Sequence, residues 1–180
     1  MDILKLREPL KISEIDFRIQ SINKGKYATI LAYKDARADM NRLDAVCGAL
    51  NWKRSHLNGN ANCIVSIYNS QTKEWISKED TGSESMSEAK KGLASDSFKR
   101  ACFNWGIGRE LYDYPVISIK LNDDEVQDYN GKFRPSWNLK MKEWVWISEF
   151  DNKGKIKALA CKDNSGKVRF KYGEFTPRQK

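Results

Sequence analysis

Around residue 100 the apolar positions recur at helical spacing. Ala94, Phe98, Ala101, Cys102 and Trp105 fall in one arc when successive residues are placed 100° apart. Ser85 and Glu88 have the spacing of a capping box, so the helix is expected from Met86, and Gly106 and Gly108 are expected to end it. Beside the apolar stripe, Gly92 and Ser95 form a strip of short side chains that carries one cation, Lys99, with Arg100 further round. A second helix is predicted over 36–47, where Ala36, Met40, Leu43 and Cys47 share a face, Asp35 can cap the start and Gly48 can close the end. Arg37, Asn41 and Asp44 lie on a flank outside that stripe.

Strand patterns fill much of the rest. Residues 16–22 and 27–33 read as a hairpin about a turn at 23–26, after an exposed lead-in over 1–14. Segments 52–57, 63–68 and 74–78 read as a meander, with Cys63, Val65 and Ile67 on one face and residues 79–82 leading out to the long helix. A strand is expected over 116–121, and the polar stretch 122–138, with Gly131 and Pro135, reads as a long loop or mobile segment. Segments 144–150, 155–161 and 168–172 form a second meander, with Asp-Asn turns at 151–154 and 163–166, and 176–180 is expected to fray. This order predicts an α+β fold. Residues 1–115 are expected as a core, and 116–180 as a basic β-meander that either extends it or belongs to the same domain.

Composition narrows the chemistry. The 180 residues carry a net charge of +8, but Leu139 to Lys180 hold 11 Lys+Arg against 5 Asp+Glu, which leaves only +2 for the rest. A nucleic-acid site in the core must therefore rest on a few placed cations, whereas the C-terminal part could attract polyanions by bulk field. Cys47, Cys63, Cys102 and Cys161 are widely separated and the one histidine is His56, so neither zinc nor a disulfide framework is expected. No signal-peptide or membrane-length apolar run occurs, and a soluble, cytoplasmic chain is expected.

No phosphate-binding loop is present, which disfavours an ATP-driven motor. Glu79, Asp80, Glu84 and Glu88 could hold Mg²⁺ in a nuclease, but a turn followed by a helix N-terminus accounts for them more simply. Lys90, Lys91, Lys99 and Arg100 could be ordinary solvated charges on an amphipathic helix, and Arg37 could pair with Asp44 or Asn41. Trp52 and Trp105 read as core or interface anchors, Trp75 and Trp137 stay open, and Trp144 with Trp146 reads as a buried seam or a stacking surface.

Three stretches decide between these readings: AYKDARADMNRLDAVCGALNW, the Glu-Asp-x-Gly at Glu79 to Gly82, and EAKKGLASDSFKRACFNWGIGRELYD. In them the chain resembles the Rad-fifty-two family of single-strand annealing recombination proteins, in the short form encoded by phages. The resemblance implies a curved antiparallel β-sheet packed on the long helix, and protomers side by side in a ring or filament. It further implies a positive groove for single-stranded DNA, which Arg37, Lys90, Lys91, Lys99 and Arg100 would line. Phe103 stands where the larger members carry another basic residue. The implied activity is ATP-independent annealing in recombination and double-strand break repair, not enzymatic, with no cofactor and no metal. The implied partners are single-stranded DNA and further copies of the chain, with a phage exonuclease or host single-strand binding protein beside them in the bacterial cytoplasm. The alternative is a passive binder of single-stranded DNA or RNA that uses the basic C-terminal meander.

Overall fold

The computed structural model describes residues 2–83 and 89–177, with side chains from Gly92 onward in the helix that begins at Ala89. The elements in chain order are β1 (Ile15–Ile22), β2 (Tyr27–Lys34), α1 (Ala36–Cys47), β3 (Trp52–Leu57), β4 (Asn62–Asn69), β5 (Glu74–Thr81) and α2 (Ala89–Trp105). They are followed by β6 (Ile117–Lys120), β7 (Val126–Tyr129), β8 (Lys132–Pro135), β9 (Val145–Phe150), β10 (Ile156–Lys162) and β11 (Val168–Gly173). Helices and antiparallel sheets are segregated along the chain, and the fold is α+β. The start of α2 expected at Met86, with its capping box, lies outside the described residues.

The chain divides into two compact units that interleave in sequence: the N-terminal segment up to Leu10 with Lys34–Arg109, and Lys11–Tyr33 with Glu110 onward. A single boundary at 115/116 does not describe this packing, because β2 pairs with β6, Ala28 opposite Ile119 and Ile30 opposite Ile117. The residues that read locally as a hairpin are thus half of a sheet completed ninety residues later.

In the first unit, β3, β4 and β5 form a meander in that order. Cys63, Val65 and Ile67 of β4 are buried, as are Phe98, Ala101 and Cys102 of α2. Trp105 closes the helix, and its indole N–H donates to the Val65 carbonyl at 3.0 Å. Trp52 stacks on Phe98 and donates to Asp44 at 2.6 Å, so both tryptophans are internal anchors. β5 runs to Thr81, beyond the expected end at 78, because Glu79, Asp80 and Thr81 continue its pairing with Ile64, Cys63 and Asn62. The lead-in, expected to be exposed, is not so throughout: Ile3–Arg7 is a 3₁₀ turn, and Leu6 and Leu10 are fully buried. Arg42 of α1 ties that turn down, donating to the Glu8 carbonyl at 2.7 Å.

The second unit packs β1-β2-β6 and β9-β10-β11 around Ile30, Ile117, Ile119, Trp144, Leu159 and Cys161. Trp144 lies buried just before β9 in this core, and the half-buried Trp146 packs against it, stacked flat on Phe17 with ring centroids 3.7 Å apart, so of the two only Trp144 is fully inside. The stretch 122–138 is not a loop. It holds the β7-β8 hairpin, turned by Asn130 and Gly131, which both have positive φ as a two-residue hairpin turn requires.

Candidate nucleic-acid interface

Asp35 organises the start of α1. Its carboxylate accepts from the backbone N–H of Arg37 at 2.6 Å, which caps the helix, and the same group pairs with the Arg37 guanidinium at 2.8 Å. Arg37 therefore pairs with Asp35, not with Asp44 or Asn41; the cap sits at the turn from which Arg37 emerges. The guanidinium is held at one edge while the side chain stays 80% exposed. These hydrogen bonds hold the Asp35 carboxyl below the usual carboxylate range, and the Lys99 ammonium on α2 adds a smaller pull. Lys99, half-buried, acts on Asp39 of α1 as well. Arg37 and Lys99, which come from different helices, thus both act on the Asp35 carboxylate, Arg37 directly and Lys99 more weakly.

Arg100 leaves α2 on the side of β5. Its Nε lies 3.4 Å from Asp80, and the side chain is 44% exposed. Asn104 donates to the same carboxylate at 3.2 Å and to the Glu79 carbonyl at 2.9 Å. Glu79 in turn accepts from Asn62 at 2.7 Å. These two carboxylates of the imagined Mg²⁺ set are engaged in strand and helix contacts, while Glu84 and Glu88 lie outside the described residues. Lys90 and Lys91 occupy the first described turn of α2, and their side chains lie outside the described set.

Beneath this surface lies a pair that the sequence did not flag. Lys34 and Asp39 are 1% and 0% exposed, and the ammonium donates to Asp39 and, at 2.6 Å, to the Ile107 carbonyl. Lys34 also lies 3.9 Å from the Phe103 ring centroid. Burial pushes the Asp39 carboxyl up to about 6 against the opposing pull of Lys34. Phe103 therefore has a structural role, since its face helps seat the one buried lysine among the described residues. Gly108, with φ +73°, is needed where it stands because a Cβ there would come 2.8 Å from the Lys34 side chain.

Gly82 at the exit of β5 lies against α2, where an added Cβ would stand 2.6 Å from the Ser97 nitrogen. His56 is a strand residue near Ser97, at 3.4 Å, and burial lowers its affinity for a proton. All four cysteines are buried and free, as expected. Among the described residues no helix is long and apolar enough to cross a membrane.

Residues 57–130 match the family model described as Rad52/22 family double-strand break repair protein. The chain is also 30% identical over 137 residues to the single-stranded DNA-binding protein DdrA of Deinococcus deserti, which covers 74% of this chain and 67% of that protein. The chain belongs to the Rad52/22 family. A second relative in it is the single-stranded DNA-binding protein DdrA of Deinococcus radiodurans, 32% identical over 114 residues, covering 62% of this chain and 54% of that protein. The stretch matched by the Rad52/22 family model takes in β4, β5, α2, β6 and β7, with Lys99 and Arg100, while Arg37 precedes it.

Proposed function

We propose that the chain binds single-stranded DNA and anneals complementary strands without ATP, in recombination and double-strand break repair, and that Arg37, Lys99 and Arg100, together with Lys90 and Lys91, hold the phosphates. The observation that carries this reading is membership of the Rad52/22 family together with similarity to two proteins named as single-stranded DNA-binding proteins; Arg37 and Lys99, which both act on the Asp35 carboxylate, support the choice of site.

The mechanism is physical. Cations along one groove fix the phosphates of a strand and release its counterions, while its bases stay open to a complementary strand. Arginine suits this place: its planar fork matches the geometry of a phosphate, and the side chain stays 80% exposed while paired with Asp35. No bond is made or broken, so the chain acts as a non-catalytic binding protein and needs no cofactor. Several copies in a ring or filament, with a curved sheet lining a continuous groove, would sum the few cations that each protomer offers. A phage origin, the bacterial cytoplasm, and an exonuclease or a host single-strand binding protein as neighbours complete the reading.

Annealing itself is the test. Purified protein without nucleotide is expected to accelerate pairing of complementary oligonucleotides followed by fluorescence quenching, and no acceleration over the protein-free rate refutes the proposal. Tight binding without acceleration would instead favour the passive single-strand binder that the names of the two relatives also fit.

A further inference from the structure

The β7-β8 hairpin presents a face that the groove reading does not use. Tyr129 stands opposite Lys132 and Gln127 opposite Arg134, so these four side chains share one side of the two-stranded ladder, and all are exposed. The carboxylate of the hairpin, Asp128, alternates to the other side and accepts from the Gly131 N–H at 2.8 Å. The used face therefore carries two cations, an amide and an aromatic ring, with no acid among them. The Arg134 guanidinium lies 5.4 Å from the Tyr129 ring centroid, and Tyr129 is 64% exposed. Trp137, at the base of the hairpin, is 87% exposed.

The base is fixed. Ser136 extends the ladder by donating to the Glu125 carbonyl at 2.9 Å, and the buried Glu125 side chain accepts from both terminal nitrogens of Arg169 at 2.9 and 2.7 Å. An isolated two-stranded hairpin is marginal in water, so this anchorage is what lets a short ribbon hold an exposed aromatic in place.

We propose that this face is a contact for single-stranded DNA, with a base stacked on Tyr129 and the adjoining phosphates held by Lys132 and Arg134. It rests on the single-strand reading above and lies in the second unit, where Lys+Arg number 18 against 13 Asp+Glu. Cross-strand packing alone would account for the arginine over the tyrosine, but it has no use for the lysine directly opposite or for an uncovered indole at the base. A single strand uses the tyrosine ring and both cations, because its bases offer bare faces that a duplex keeps stacked.

Full-length protein is titrated with a fluorescent oligothymidylate over a salt series. Tyr129→Ala is expected to weaken binding by about tenfold, the effect of losing one stacked base, whereas Tyr129→Phe keeps wild-type affinity. Lys132→Ala with Arg134→Ala is expected to lower the salt slope by about 1.4, or about 0.7 for each lost phosphate contact. These residues are exposed, so an unchanged urea midpoint checks that the variants are folded. Wild-type binding that all variants match at every salt overturns this proposal and leaves the annealing reading standing. Wild-type protein that binds no oligonucleotide overturns both. Weakening by the charge variant but not by Tyr129→Ala, with polyglutamate competing as well as the oligonucleotide, overturns it in favour of an acidic protein partner.

Discussion

Lys34 and Asp39 bring opposite charges into the interior of the first unit, where water cannot screen them. Desolvation outweighs the lysine's attraction and raises the Asp39 carboxyl to about 6, above the ordinary 3.8 it regains on unfolding. The folded chain therefore binds more protons than the unfolded chain between these values. Asp39 contributes stability that is complete below 3.8 and lost as pH rises through about 6. Urea midpoints measured from pH 7 to 4 are expected to show this gain in the wild type relative to Asp39→Asn, with a slope of at most about 1.4 kcal/mol per pH unit. A difference between the two that does not change with pH would contradict it. At this scale the placement of Arg37 in the first turn of α1 and of Lys99 and Arg100 on α2 was legible from helical spacing. The buried pair was not, because a lysine at a strand end ordinarily reaches solvent, and the one hint was that Asp39 lies one turn before the buried Leu43.

Elements were legible where a period ran long enough. Helix α1 spans Ala36–Cys47 with its Asp35 cap and Gly48 exit, and both meanders lie within a few residues of their expected places. The β7-β8 hairpin escaped because four-residue strands give too short an alternation, and its Asn-Gly turn is embedded in a uniformly polar stretch. The joint between β5 and α2 depends on a single glycine. Gly82→Ala would put a Cβ 2.6 Å from the Ser97 nitrogen and 3.0 Å from the Leu93 carbonyl oxygen, both backbone atoms that cannot swing aside. It is expected to destabilise the first unit by roughly 1–3 kcal/mol in urea unfolding, a typical cost of overpacking. A variant as stable as wild type would show that the joint has slack.

Across the whole molecule, the interleaving of the two units was hidden because it rests on a pairing between β2 and β6 that no local pattern announces. Charge was legible in amount but not in place. The C-terminal excess suits bulk attraction, while a site in the first unit, with 14 Lys+Arg against 11 Asp+Glu, would have to act through position. Two of its cations are paired with acids, Arg37 with Asp35 and Arg100 with Asp80, and under the proposed function each would be oriented before DNA arrives. Such a site should be cooperative between helices. The most direct test is the salt dependence of single-strand affinity for the wild type, Arg37→Ala, Lys99→Ala and the double variant. One shared groove predicts a slope lower by about 0.7 for each lost contact per protomer, with losses in affinity that do not simply add if both cations hold the same stretch of strand. Slopes equal to the wild type in all three variants would contradict it and return Arg37 and Lys99 to the status of solvated surface charges.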